Sequence, residues 1–349
     1  MTDTTVEPGP SRARSSAATL HDVAAAAGVS LATASRVLNG STRKVAESYR
    51  ERVEAAAAEL GYTANLSAQA TAKGTSAIIA LLVADIADPY FGQLASGVAR
   101  GADEAGLVVT IAITERDAAR ETRLVRALRG QRPRGLILAA SRSTETSAPE
   151  LQQELDALSA MGGRVVALGP GAGDVRAVLI DNRGGARDLG AALASRGYRS
   201  AVILGAQEGV RTSDDRIAGF TEGFGSGGGS VDRIYRGAFT REAGERIMRQ
   251  ALADGIPSGT LVFAISDVVA IGALGAIRES GREVGADIAL AGFDDIPTGR
   301  DVTPGLTTVR VPLDDVGYQS LRAAIDDSWT QSPDSLPLEV LVRGSTPER

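Results

Sequence analysis

From residue 76 onward the chain alternates short apolar runs with stretches of helical periodicity, and this rhythm restricts the fold more than any other feature. Residues 78–83, 107–113, 135–138 and 165–168 read as strands, with helices over 91–105, 118–129 and 150–161. The pattern restarts with a strand at 177–180 and continues with strands at 201–204, 231–235, 261–264 and 288–291. Helices over 184–196, 214–223, 241–253 and 267–280 separate them. Strands that are apolar without alternation, joined by helices of 10–15 residues, are βαβ units: parallel strands need a crossover, and helices then cover both sheet faces. Two such sets predict an α/β core of two doubly wound parallel-sheet lobes. The low-complexity run Gly225-Ser-Gly-Gly-Gly-Ser230 reads as a flexible surface connection, since it neither follows a strong strand nor opens a clear helix as a phosphate loop would.

The first 75 residues follow a different rule. Leu20, Val23, Ala24 and Ala27 recur at i, i+3, i+4 and i+7, behind Thr19 as N-cap and Asp22 as an imperfect capping-box partner. Gly28 breaks that helix, Ser30 caps a second over 31–38, and Asn39-Gly40 ends it. A third stripe, Tyr49, Val53, Ala56, Ala57 and Leu60, closes at Gly61. Small Ala24 and Ala27 permit a close crossing, with Val29 and Val37 packed inside. The spacing thus predicts an all-α helix-turn-helix unit over 19–63, after a disordered tail over 1–18 and before a hinge over 64–75. The exposed face of its second helix carries Leu31, Ala32, Thr33, Ser35 and Arg36. Short side chains with one arginine suit a helix pressed into a major groove. Arg36 can fork onto guanine while Leu31 and Ala32 offer apolar contact to bases. Thr19, His21, Ser30, Thr33, Ser35 and Asn39 have the reach for phosphate oxygens.

Composition narrows the function. The chain has no cysteine and one histidine, which removes the two commonest nucleophile and base side chains and argues against an enzyme. No apolar run reaches membrane-span length, and residues 1–18 hold no apolar segment of a signal peptide, so a cytoplasmic protein without membrane contact is expected. Net charge is −6, with eight Lys/Arg against seven Asp/Glu in residues 1–74. Any nucleic-acid contact therefore comes from a few placed groups and not from a basic face.

The run Thr19-Leu-x-Asp-Val-Ala, then Ala-Gly-Val-Ser-x-Ala-Thr-x-Ser-Arg-Val-Leu-Asn-Gly40, resembles the head of the LacI/GalR family of bacterial transcription regulators. Asp88-Pro-Tyr-Phe91, Asp181-Asn182, Arg216-Ile-Ala-Gly-Phe220, Ser266-Asp-Val-Val-Ala-Ile-Gly272, Gly292-Phe-Asp-Asp295 and the ending 338–346 carry the resemblance through the chain. It implies a periplasmic-binding-protein-like core over 76–349, with an N-lobe of about 76–175 and 306–329 and a C-lobe of about 176–303 and 332–349. It also implies a homodimer on double-stranded DNA with a palindromic operator, and a small-molecule effector, a sugar, in the interlobe cleft. No cofactor or metal is implied. The expected function is repression of carbohydrate-utilisation genes. A nucleobase, nucleoside or protein co-regulator is the alternative effector, and a solute-binding protein is the alternative of another class. Three departures stand out. Thr71 occupies the place of the family's hinge leucine that wedges into the minor groove, flanked by Ala68 and Lys73. Ala64 replaces a proline, and Ala46 replaces a capping serine.

Ligands of doubly wound sheets bind beyond the carboxyl ends of the strands. Those ends, with two loop–helix entries, deliver Tyr90, Phe91, Ser141, Asp181, Arg216, Phe239, Asp267 and Phe293 as effector-binding candidates. Carboxylates, an arginine and aromatic faces suit a polyhydroxylated ring. Asp181 and Asp267 also fit as helix caps, one of Tyr90 and Phe91 as core, and Asp294-Asp295 as a loop stabiliser.

Overall fold

The computed structural model describes residues 18–38, 45–63, 75–140, 149–169, 175–330 and 335–349. Asn39, Ala68, Thr71, Lys73 and Ser141 lie outside the described residues, as do most of the expected tail and hinge. Contacts divide the chain into two compact units, Met1–Lys73 and Gly74–Arg349.

The first unit holds α1 (Leu20–Ala26), α2 (Leu31–Leu38) and α3 (Glu47–Glu59). The capping box is complete despite aspartate being shorter than glutamate. The Asp22 amide donates to the Thr19 hydroxyl at 3.3 Å, and the Asp22 carboxylate accepts from the Thr19 amide at 2.8 Å. Gly28 turns the chain with φ of 64°, a conformation costly for a residue with a Cβ. Val23, Ala24, Ala27, Ala34, Val37, Val53, Ala56 and Ala57 form the small core, with Val29 packed at its edge. As the sequence implied, Ala46 supplies no side-chain cap to α3. Arg52 of α3 does what no local signal announces: its Nε and Nη2 donate to the Ala27 carbonyl at 3.0 and 2.6 Å, and Nη2 also to that of Gly28 at 3.0 Å. One guanidinium thereby braces the turn between α1 and α2.

The second unit opens with β1 (Ile78–Val83), α4 (Pro89–Glu104), β2 (Val108–Ile113), α5 (Ala118–Arg129), β3 (Gly135–Leu138), α6 (Pro149–Ala160), β4 (Arg164–Leu168) and β5 (Arg176–Val178). These strands form a parallel sheet in the order β2-β1-β3-β4-β5. Its apolar runs are continuous because both faces are covered. Ile79, Leu81 and Val83 join the main core, while Ala80 and Leu82 face a separate cluster with Val125, Leu128, Leu151, Leu155 and Leu158.

A second parallel sheet, in the order β7-β6-β8-β9, is built from β6 (Ser200–Ala206), β7 (Ser230–Gly237), β8 (Leu261–Ala264) and β9 (Ala289–Ala291). Its helices are α7 (Asn182–Ser195), α8 (Arg211–Ser226), α9 (Arg241–Ala253) and α10 (Asp267–Glu279), followed by the short α11 (Thr298–Asp301). Two helix pairs cross at backbone contact. A Cβ at Gly223 of α8 would strike the Arg187 carbonyl of α7, and one at Gly272 of α10 would strike the Arg241 carbonyl of α9.

The remaining elements are β10 (Thr308–Arg310), α12 (Leu313–Ile325) and β11 (Glu339–Leu341). β10 and β11 pair antiparallel, which a purely parallel expectation missed. The amides of Gly292 and Asp294 donate to the carbonyls of Thr307 and Val309, so this segment runs on from the second sheet. The crossing between lobes therefore falls near Val311-Pro312 and not at 306. It falls after β5 and not at 176, because β5 pairs with β4. α12 returns to the first sheet and packs on α4, β3, β4 and β5. The glycine run is also corrected. α8 extends to Ser226, and a tight turn follows in which Gly228 and Gly229 donate to the Gly225 and Phe224 carbonyls, so the segment is an ordered helix end. Among the described residues no helix is long and apolar enough to cross a membrane.

Candidate functional site

In the first unit, α2 buries Ala34 and Val37 and exposes Leu31, Ala32 and Arg36 on one face. Leu31 remains 48% exposed. Arg36 has no ion-pair partner among the described residues. The hydroxyls differ from expectation in what they already hold. Thr19 is committed to its capping box, and the Ser30 hydroxyl caps α2 by accepting from the Thr33 amide at 3.1 Å while lying 2.9 Å from the Thr33 hydroxyl. His21 is exposed and Ser35 half-buried. The unit thus presents a short capped helix with Leu31, Ala32 and Arg36 facing outward.

In the second unit, the strand ends gather a charged cluster around Arg216. This side chain, on α8, is only 2% exposed. Its Nε donates to Asn182 Oδ1 at 2.9 Å, Nη1 to the Ile265 carbonyl at 2.7 Å and Nη2 to Asp294 Oδ1 at 2.8 Å. The guanidinium lies 3.8 Å from the centroid of the Phe293 ring, which is itself fully buried. Burial lifts the Asp294 carboxyl to about 7, although the Arg216 contact pulls the other way. Asp294 Oδ2 accepts from no other described residue.

Tyr90 and Asp88 face this cluster from the first lobe. Asp88 caps α4, its Oδ1 accepting from the Tyr90 amide at 3.0 Å, and burial raises its carboxyl above the ordinary value. The Tyr90 phenol is raised first by burial and then by Asp294, which places the two groups in each other's field across the lobes. Its hydroxyl makes no hydrogen bond to a described residue. Phe91 meets Tyr90 edge-on at 5.0 Å but is core, 3% exposed. At the rim, Phe239 of the second lobe has the Arg116 guanidinium of the first lobe 4.7 Å from its ring centroid.

Two expected effector residues have structural duties. Asp181 is an exposed N-cap of α7, accepting from the Gly184 amide at 2.8 Å, and its neighbour Asn182 is the one that meets Arg216. Asp267 is fully buried. Its Oδ1 accepts from the Thr308 hydroxyl at 2.6 Å and Oδ2 from the Ile296 amide at 2.9 Å, so it ties α10 to the loop leading into β10. Burial, then the nearby Asp294, raises its carboxyl well above the usual range.

Sequence reasoning missed Arg116 and the surroundings of Asp295. Arg300, Arg310 and Arg343 converge on the Asp295 carboxylate at 2.7, 3.0 and 2.5 Å, and that side chain is 1% exposed. Burial alone would raise its carboxyl, but the three arginines overcome this and hold it below the usual value. Asp294 and Asp295 have φ of 117° and 58°, so the chain turns sharply between the Arg216 contact and the three-arginine cluster.

Residues 19–65 match the family model described as bacterial regulatory proteins, lacI family, and residues 191–346 match a periplasmic binding protein-like domain. The chain is 32% identical to the HTH-type transcriptional regulator CelR of Thermobifida fusca over 94% of this chain and 98% of that protein. It is 31% identical to the HTH-type transcriptional repressor CytR of Escherichia coli (strain K12) over 95% and 96%. Among solved structures, the lac repressor dimer bound to operator and the anti-inducer ONPF superposes with a TM-score of 0.80 at 28% identity, covering 95% of this chain and all of that one. The CelR–cellobiose complex gives 0.67 at 29% identity, covering 94% and 99%.

Proposed function

Because the chain belongs to the lacI family of bacterial regulatory proteins, we propose that it represses carbohydrate-utilisation genes from a palindromic operator, with a sugar in the interlobe cleft setting its DNA affinity. The observation that carries this reading is the outward face of α2, where Leu31, Ala32 and Arg36, which has no ion-pair partner among the described residues, follow a turn braced by Arg52. Such a face reads bases, while the amides and hydroxyls of the same turn position it on phosphates. Ala68, Thr71 and Lys73 are proposed for the minor groove, with the shorter, polar Thr71 side chain in place of a leucine wedge.

The chemistry of the cleft supports a neutral, hydroxyl-rich effector. Asp88 and Asp294 are matched in charge by Arg116 and Arg216. The Tyr90 hydroxyl and Asp294 Oδ2 offer an amphoteric partner and an acceptor, and Phe239 offers a ring face. A cytoplasmic homodimer is part of the proposal. β2 is an edge strand whose Val108 and Ile111 are 56% and 42% exposed, an apolar edge that a second copy would cover. A shift between two states requires that the sugar bind them unequally.

The test is selection of duplexes from a randomised pool, followed by melting of the protein with mono- and disaccharides and nucleosides. Ligand at 100 times its Kd adds about 2.7 kcal/mol of stability. Recovery of a palindrome whose retention changes with one sugar supports the reading, and retention of no duplex overturns it. A nucleoside acting alone would move the effector to another class.

A further inference from the structure

We propose that Arg116 is an intramolecular occupant of the cleft: its guanidinium covers the Phe239 face, so a ring ligand that stacks there must first displace it. The inference rests on the reading of the cleft as a ligand site, and it adds a specificity-determining residue that the family motifs do not contain.

Four observations carry it. The Arg116 guanidinium lies 4.7 Å from the Phe239 ring centroid, well inside cation–π range. The contact joins the two lobes, since Arg116 follows β2 and Phe239 follows β7. Glu115 and Arg116 are consecutive non-glycine residues at φ of 53° and 57°, a conformation that costs free energy at each and persists only where surroundings hold it. Those surroundings are visible. The Thr114 and Glu115 amides donate to the Val83 and Ala84 carbonyls, the Thr114 hydroxyl donates to Val83, and Asp117 caps α5 by accepting from the Arg120 amide.

The opposite anchor is equally fixed. Thr240, next to Phe239, caps α9 by accepting from the Ala243 amide at 3.2 Å. Asp88 and Asp85 are the carboxylates whose charge reaches Arg116, yet neither comes within ion-pair distance. The guanidinium therefore rests on the ring and not on a carboxylate. A ligand ring on Phe239 takes the same face and displaces Arg116, itself an exposed residue, from the ring toward those two aspartates. Affinity for the ligand is then lowered by the free energy of the contact it breaks, and a ligand that leaves Phe239 uncovered escapes this penalty.

The experiment places a tryptophan reporter at the ring, F239W in a W329F background, where the native Trp329 packs beside Arg176. Acrylamide quenching is compared with and without R116M, which keeps the length of the side chain and removes its charge. The expected result is roughly a twofold or larger rise in the quenching constant on R116M, and an unchanged constant overturns the proposal. Hydrogen exchange on the chain with native Phe239 gives a second reading: R116M should speed exchange at both 114–117 and 238–240. In parallel, a sugar that stabilises the native protein and shifts the emission of F239W, and so covers that ring, should bind R116M about 2- to 30-fold tighter, the range spanned by a cation–π contact. Equal affinity overturns the proposal. If no sugar stabilises either protein, the sugar reading fails while the quenching result still decides the role of Arg116.

Discussion

Arg216 Nη2 and Asp294 Oδ1 are 2.8 Å apart, and the two side chains keep only 2% and 4% exposure. Truncating one partner of such a pair strands the other charge in a low-dielectric site. R216M is expected to cost about 3–5 kcal/mol in urea unfolding, and adding D294N should recover part of that loss. The pH dependence has a definite sign. Asp294 titrates near 7 in the fold against 3.8 unfolded, so the folded state holds the proton longer. Its contribution to stability is full below 3.8 and is lost as pH rises through 7. A stability–pH profile in which D294N flattens that interval is the expected outcome.

Asp295 should behave in the opposite way. Its folded value is depressed below 3.8, so its stabilisation is present above that pH and is lost as pH falls through the folded value. D295N should unfold at about 2 kcal/mol lower cost at neutral pH, discounted because Arg300 and Arg310 remain about half exposed. The variant should also be less sensitive to acid than the native chain below about pH 4. Denaturation series at pH 3 and pH 7 separate the two effects.

Arg36 and Arg52 should fail differently. R36A is expected to lose about 1–3 kcal/mol at the selected operator and to relax base choice at one position. R52M releases the Ala27 and Gly28 carbonyls and should weaken all duplexes alike, through a head destabilised by about 1–2 kcal/mol. Binding-site selection repeated on each variant distinguishes loss of readout from loss of the turn.

The exposed edge of β2 yields a fourth expectation. I111K, or V108K, puts an ammonium on the edge and should convert a homodimer to monomer in sedimentation velocity at micromolar concentration. Affinity for a palindrome should fall with it while a single half-site is held as before. A native chain that sediments as a monomer would remove β2 from any interface.

The alternation of strands and helices was legible because burial on both sheet faces leaves an unbroken apolar run, as at Ile78–Val83, that sequence alone displays. The cap at Thr19 and the turn at Gly28 are likewise local chemistry. What escaped are ties between distant segments. Arg52 reaches carbonyls 24 and 25 residues away, and Arg343 reaches Asp295 across 48. Nothing in either neighbourhood marks the partner. Asp181 and Asn182 show the limit at single-residue scale. Both were visible at the strand end, but the helix start gives the aspartate to the Gly184 amide and leaves the asparagine for Arg216. Antiparallel β10 and β11 hid for a related reason, being three residues each and pairing Arg310 with Glu339 across 29 residues.

The backbone contacts at Gly223 and Gly272 bear on how a mutational survey of this chain would read. Even alanine there has to push two helices apart, so both positions would score as intolerant as any residue that touches a ligand. Their intolerance reports the spacing of rods in the second lobe, and ranking residues by sensitivity alone would draw the functional map in the wrong place.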